Sequence, residues 1–350
     1  MRLLIFEDIC GAGYRCDFIL PPELPDEFHK LLVIEGAAMM KAVVEDFSQL
    51  PLSVSDSPLE IITHWDRRGG IIPFEGKQGI EVVQVDSSRS GQRAWNQSLK
   101  TCDTVLFIAP EYQGRAYNMQ LEVLQNECSS LNSLPSAIRL CSDKLEFFRH
   151  LQEHNIATIP TFSSFEKLSN SQYVVAKQRD GVGSMSVEKM LFKNAERHSH
   201  KPGSYQLIWQ PFVAGETCSV GCFINSKTGH LTVLPTARQF LSNDGHFKYE
   251  GGEIPAANVD QQAVKEMATQ VAHSIEGLHG YFGIDFIVGE DQKPIVVELN
   301  PRITTSYVGY RAMTSQNLAE LFFNDVDEED IEWQNHVRFE PNGKVFTRPL

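Results

Sequence analysis

Short β-branched runs alternate with longer stretches of helical apolar spacing over the first third of the chain. Residues 3–6 read as a buried strand. Across residues 31–47, Leu31, Ile34, Ala38, Met39, Ala42, Val43 and Phe47 fall on one helical face. Residues 60–65, 81–85 and 104–108 read as further strands, and 118–131 as a further helix. This rhythm predicts an α/β fold, a parallel sheet with helices on its faces. Ligands of such sheets sit beyond the carboxyl ends of the strands. Two loops lie there, 7–14 and 109–114. The first lacks the glycine spacing of a dinucleotide fingerprint, which argues against a dehydrogenase. A substrate-contacting loop and a plain surface loop both remain open for it.

The pattern then changes. Ser142-Asp143-Lys144 opens a helix with Ser142 as N-cap, ending near residue 154. Residues 156–162 return extended. The strand at 173–178 carries Lys177 and runs into Gly181-Val182-Gly183-Ser184. Such a loop either cradles phosphate oxygens with its N–H groups or is a glycine hairpin beside a surface lysine. Residues 207–213 form a strand leading to a turn at Gly215-Glu216. Residues 218–224 and 231–234 are further strands, and 247–252 read as a loop. Val264, Met267, Ala268, Val271, Ile275 and Leu278 mark the core face of a helix. Residues 325–330 are an acidic surface segment.

The chemistry concentrates near residue 300. Residues 281–288 and 295–299 read as strands joined by a turn at 289–293. A hairpin symmetric about Asp291 and Gln292 sets Asp285 opposite Glu298. Asn300 shares the face of Glu298, and Arg302 lies just beyond. Polar residues on a solvent face would be the plain explanation. Charges inside apolar runs are costly when unpaired, however, and an oxygen-rich cluster of this kind suits Mg²⁺.

Composition excludes more than it selects. The 350 residues carry a net charge of −14, which disfavours nucleic acid and anionic membranes as partners. The seven cysteines show no paired spacing and read as small buried hydrophobes. No apolar run reaches membrane-spanning length. The expectation is a cytoplasmic protein of two or more domains.

In this order the motifs resemble the ATP-grasp family, over about residues 1–325. The resemblance implies a Rossmann-like pre-ATP-grasp domain at 1–135 and a two-lobed ATP-grasp domain of α+β type. The small lobe would span 136–206 with the phosphate loop, and the large lobe 207–325 with hinge and metal site. An acidic tail would fill 326–350. It further implies an ATP-dependent carboxylate–amine ligase working through an acyl phosphate and releasing ADP and phosphate. Lys144 and Lys177 would contact the nucleotide phosphates, and Gly181, Gly183 and Ser184 would close over them. Gln210, Pro211 and Phe212 would meet the adenine, and Glu216 the ribose. Asp285, Glu298 and Asn300 would hold two Mg²⁺ ions, or Mn²⁺ in their place. Arg302 would face the carboxylate or acyl phosphate, and Arg238 would be a second phosphate-contacting cation. Gln178 stands where the family often has proline, and Trp209-Gln210 where it often has paired acids.

A finer resemblance joins Phe6-Glu7-Asp8-Ile9-Cys10-Gly11-Ala12-Gly13 to the "FEYISGGG" opening of ATP-grasp proteins like the tyramine–glutamate ligases of methanofuran biosynthesis. Asp8, Cys10 and Ala12 replace Tyr, Ser and Gly of that opening. Ala109-Pro110-Glu111 fits the same group. Small-molecule acid and amine substrates follow from the resemblance, as does a homodimer. Glu111 and Glu7 are the candidate bases for the amine. Alternatives are an amino-acid or dipeptide ligase of the D-alanine–D-alanine type and a non-catalytic ATP-binding protein.

Overall fold

The alternation in the first third folds as its spacing demands. The computed structural model describes residues 1–11, 26–51, 59–181, 187–199 and 207–350. In it, β1 (Arg2–Glu7), β2 (Glu60–Asp66), β3 (Ile80–Val85), β4 (Thr104–Ile108) and β5 (Ser129–Ser130) form a parallel sheet in the order β3-β2-β1-β4-β5. The one-turn α1 (Asp8–Gly11) follows β1 directly. The period-two rule then assigns the faces. Leu3 and Ile5 pack with α2 (Asp26–Ser48). Leu4 and Phe6 pack with α3 (Ser88–Leu99) and α4 (Arg115–Gln125). The helix predicted at 118–131 thus starts and stops earlier. Glu127 takes a positive φ of 58° and turns the chain into β5.

α5 (Pro135–Ser142) and α6 (Lys144–Glu153) meet at Asp143. The N-cap is Asp143 rather than Ser142: its carboxylate accepts from the Leu145 and Glu146 N–H groups at 3.1 Å each. Ser142 closes α5 instead, donating to the Ile138 carbonyl at 2.6 Å. A carboxylate also complements the helix dipole, which favours the aspartate of the two adjacent candidates.

Two antiparallel sheets follow. β6 (Tyr173–Gln178) lies between β7 (Glu188–Leu191) and β8 (Leu207–Pro211), with the short α7 (Ala195–Ser199) after β7. The larger sheet contains β9 (Glu216–Ile224), β10 (Leu231–Val233), β11 (Ala237–Leu241), β12 (Tyr249–Ile254), β13 (Gly280–Val288), β14 (Pro294–Asn300), β15 (Asn335–Phe339) and β16 (Val345–Pro349). Its order is β14-β13-β9-β11-β12-β15-β16, with β10 on β9. α8 (Gln261–Ser274) packs on one face through Val264, Met267, Ala268 and Val271. α9 (Ser306–Met313) packs on the other and shares a core with α2.

Two stretches differ from the sequence reading. The segment 247–252 is largely strand β12, and 335–349 forms the hairpin β15–β16 rather than a tail. Gly251 and Gly252 suggest a turn by composition, yet they serve close approach. Gly251 has φ 111°, and a Cβ there would stand 2.1 Å from the Phe339 carbonyl oxygen of β15.

The helical layer joins the parallel sheet to the large one. Asp46 on α2 accepts from the Tyr307 hydroxyl at 2.8 Å and from Arg311 at 2.8 Å. Its backbone carbonyl accepts from Asn317 at 2.7 Å. Six described cysteines are free and buried. No described helix is long and apolar enough to cross a membrane.

Candidate active site

The predicted pairing of Asp285 with Glu298 holds, by a route the sequence does not show. Next to the turn, Val288 faces Pro294 and Ile287 faces Ile295, so the hairpin is symmetric about Asp291 alone. A β-bulge then adds Val297 to β14 and brings Asp285 opposite Glu298. Asn300 donates to Asp285 Oδ2 at 3.2 Å. Gln239 on β11 donates to Asp285 Oδ1 at 2.9 Å.

Two lysines from earlier in the chain converge on this ribbon. Lys144 Nζ lies 3.7 Å and Lys177 Nζ 3.6 Å from Glu298 Oε2. The first is placed by the start of α6, the second by β6. Lys144 also donates to the Gly181 carbonyl at 2.5 Å. Burial pulls Lys177 down to about 8, against the opposing pull of Glu298. Burial and the facing Glu298 push the Asp285 carboxyl up. Burial acts on Glu298 in the same sense, but Lys144, Lys177 and Arg302 outweigh it and hold that carboxyl below its usual range. Carboxylates pushed apart in this way mark functional sites. A cavity of about 10 Å³, the room of one water, is lined by Glu111, Ser142, Lys144, Gly181, Glu298 and Asn300, among others.

Two carboxylates and an amide fit Mg²⁺, which takes few protein ligands and leaves positions for phosphate oxygens. Among the described residues no group of three or more His, Cys, Asp and Glu side chains gathers as a metal cage. Glu216 Oε1, at the start of β9, is buried without a hydrogen bond, with the Arg238 guanidinium 3.8 Å away, so it has room to accept from a ribose hydroxyl.

Other predicted residues are placed differently. Arg238 is not brought to the lysine–carboxylate cluster. Successive residues of β11 point to opposite faces. Gln239 takes the Asp285 side, while Arg238 reaches Glu253 at 3.3 Å and Glu216 at 3.8 Å. At the hinge, the buried Gln210 side chain donates to Thr161 at 2.8 Å, and the Phe212 N–H donates to the Tyr173 carbonyl at 3.1 Å. Pro211 ends β8 between them. Gly183 and Ser184 lie outside the described residues.

Arg302 is gripped by Glu111, from the loop after β4. The contact is bidentate, with Nε to Oε1 at 2.9 Å and Nη2 to Oε2 at 3.3 Å. This removes Glu111 as a free base. Glu7 is no freer: its Oε2 accepts from the Cys10 N–H at 2.7 Å, and burial pushes its carboxyl up to about 7. Glu111→Gln leaves the buried Arg302 without its counter-charge, so a stability loss of about 3 kcal/mol is expected. A thermal melt reads it, and an unchanged Tm would show the pair to be dispensable.

The site and the three sheets define the class. The profile of the ATP-grasp domain matches residues 141–306, and that of the pre ATP-grasp 3 domain matches residues 59–138. The chain belongs to the ATP-grasp superfamily. It is similar to the tyramine–L-glutamate ligase of Methanocaldococcus fervens, 25% identical with 99% of both chains covered. The tyramine–L-glutamate ligase of Methanocaldococcus jannaschii is 24% identical over 99% of this chain and 94% of its own. An ATP-grasp superfamily protein from Archaeoglobus fulgidus superposes with a TM-score of 0.68 at 21% identity, covering 97% of this chain and 92% of its own. For an L-amino acid ligase from Bacillus licheniformis the TM-score is 0.63 at 13% identity, covering 96% of this chain and 78% of its own. These structural likenesses speak for the fold alone.

Proposed function

We propose that this ATP-grasp ligase activates a carboxylate as its acyl phosphate, releases ADP and phosphate, and joins L-glutamate to an amine of the tyramine type. The observation that carries the reaction class is the meeting of Lys144 and Lys177 at Glu298, opposite Asp285. The full-length similarity to two tyramine–L-glutamate ligases supports the substrate pair.

Phosphoryl transfer needs charge neutralisation more than covalent help. Lys144 and Lys177 supply two positive charges where the transferring phosphoryl group would pass. Asp285, Glu298 and Asn300 would hold Mg²⁺, which supplies Lewis-acid neutralisation of the phosphate oxygens. Glu111 takes the Nε–Nη2 edge of Arg302 and fixes its direction, which leaves the Nη1 side of the guanidinium to face a carboxylate. Transfer to the substrate carboxylate releases ADP. The amine nitrogen then forms the C–N bond as the bond from the acyl carbon to the phosphate oxygen breaks. Phosphate leaves with that electron pair, and the amine's surplus proton passes to solvent.

The test is ADP release with MgATP, L-glutamate and tyramine, together with the mass of the condensed product. Release is expected only when both substrates are present. ADP formed without dependence on the amine, or no product mass, would overturn the substrate pair. Membership of the ATP-grasp superfamily leaves a second reading open, in which the amine is itself an amino acid. Amino acids replacing tyramine in the same assay decide between them.

A further inference from the structure

We propose that Glu35 is the ammonium-binding residue of the acceptor pocket, supplied to the ATP-grasp site by helix α2; this rests on the ligase reading above. Glu35 lies in the middle of α2, and its carboxylate accepts a hydrogen bond from the Thr305 hydroxyl. Thr305 follows Arg302 closely in the chain, so the contact carries α2 to the edge of the site. Glu35 and Arg302 act on one another electrostatically.

The argument is one of charge. Glu298 has Lys144 and Lys177 beside it, and Glu111 has Arg302. Asp285 receives Gln239 and Asn300 and stands where the metal is expected. Among the described residues Glu35 has a hydroxyl partner, and the cation that acts on it, Arg302, forms its ion pair with Glu111 instead. A carboxylate held in a low-dielectric setting without a cation is costly, and burial does push this carboxyl up. Yet Glu35 keeps part of its surface exposed. A cation arriving with the substrate would complete the balance. The Tyr249 hydroxyl is buried beside this carboxylate, where Glu35, Asp285 and the Ser306 hydroxyl all act on it.

The other two acids near the sheet ends cannot take this part. Glu111 is spent on Arg302. Glu7 is sealed by α2 itself, since a Cβ on Gly36 would stand 2.5 Å from its Cδ.

Calorimetric binding to the full chain, with Mg²⁺ and a non-hydrolysable ATP analogue present, tests the proposal. The probes are tyramine and tyrosol, which carries a hydroxyl in place of the ammonium. The wild-type protein is expected to prefer tyramine at least about tenfold, as a charge-assisted contact requires. Glu35→Gln should lose that preference while its affinities for tyrosol and the nucleotide analogue stay unchanged. Thr305→Val, which keeps the carboxylate and removes its hydroxyl partner, should retain most of the preference. A wild-type protein without the preference would overturn the proposal. So would a Glu35→Gln protein that keeps it, a loss of nucleotide affinity in that variant, or a loss of L-glutamate affinity in place of tyramine affinity. Binding is read without turnover. A protein that shows the preference yet releases no ADP therefore sinks the ligase reading and not the role of Glu35 in binding.

Discussion

Glu298→Gln is expected to lower MgATP-dependent turnover about 10³-fold, the scale of several kcal/mol of lost charge stabilisation. Glu298 has two duties that the substitution separates. It faces Asp285 across the hairpin as an oxygen ligand, and it is the shared counter-ion of Lys144 and Lys177. Glutamine keeps the shape and hydrogen-bonding length but gives up the charge. Metal affinity should fall because one of two carboxylates is gone. The two lysines, relieved of their internal partner, become more available to phosphate. Metal-free ATP should therefore bind at least as tightly as to wild type, while stimulation by Mg²⁺ disappears. Nucleotide titrations with and without Mg²⁺, alongside ADP release, read both effects. Near-wild-type ADP release would defeat the metal assignment, and weaker metal-free ATP binding would defeat the shared counter-ion reading.

The parts of this site that the sequence shows are those built from neighbours in the chain. Asp285 and Glu298 could be paired because one short hairpin carries both, even though the bulge at Val297 was invisible. Lys144 and Lys177 stand out because each sits at the edge of a regular element. What stays hidden is contact across long separations. Nothing local in Glu111 announces Arg302, which is 191 residues away. Nothing in α2 announces Thr305, 270 residues from Glu35. The choice between Arg238 and Gln239 could have been made by strand alternation, had 237–241 been recognised as a strand. It was obscured because Gly251 and Gly252 in the partner strand look like turn residues, and their function of admitting β15 is visible only once the sheet is assembled. The C-terminal hairpin is concealed for a related reason. β16 is exposed along its whole length and has no apolar face to mark it.

Lys177→Ala is expected to weaken MgATP binding by about 2–3 kcal/mol, roughly 30- to 150-fold, and to remove a pH dependence that the wild-type protein should show. In the protein without nucleotide, burial brings Lys177 down to about 8, with Glu298 opposing and Lys144 adding to the shift. A triphosphate favours the charged amine, so nucleotide binding must raise the amine's pKa. The sign follows by linkage. Below pH 8 the amine is already charged, and affinity should be flat with respect to this group. Above pH 8 each binding event must first take up a proton. The Kd of the wild type should then climb with pH, by at most about tenfold per unit. Calorimetry in buffers of different ionisation enthalpy should detect that proton uptake near pH 9 and none near pH 7, and neither signal should survive in Lys177→Ala. An unchanged ATP affinity in the variant would remove Lys177 from the phosphate site. A normal loss of affinity without proton uptake would instead mean that Glu298 holds the amine fully charged before the nucleotide arrives, so that the buried ion pair, and not the incoming phosphate, sets the charge of the site.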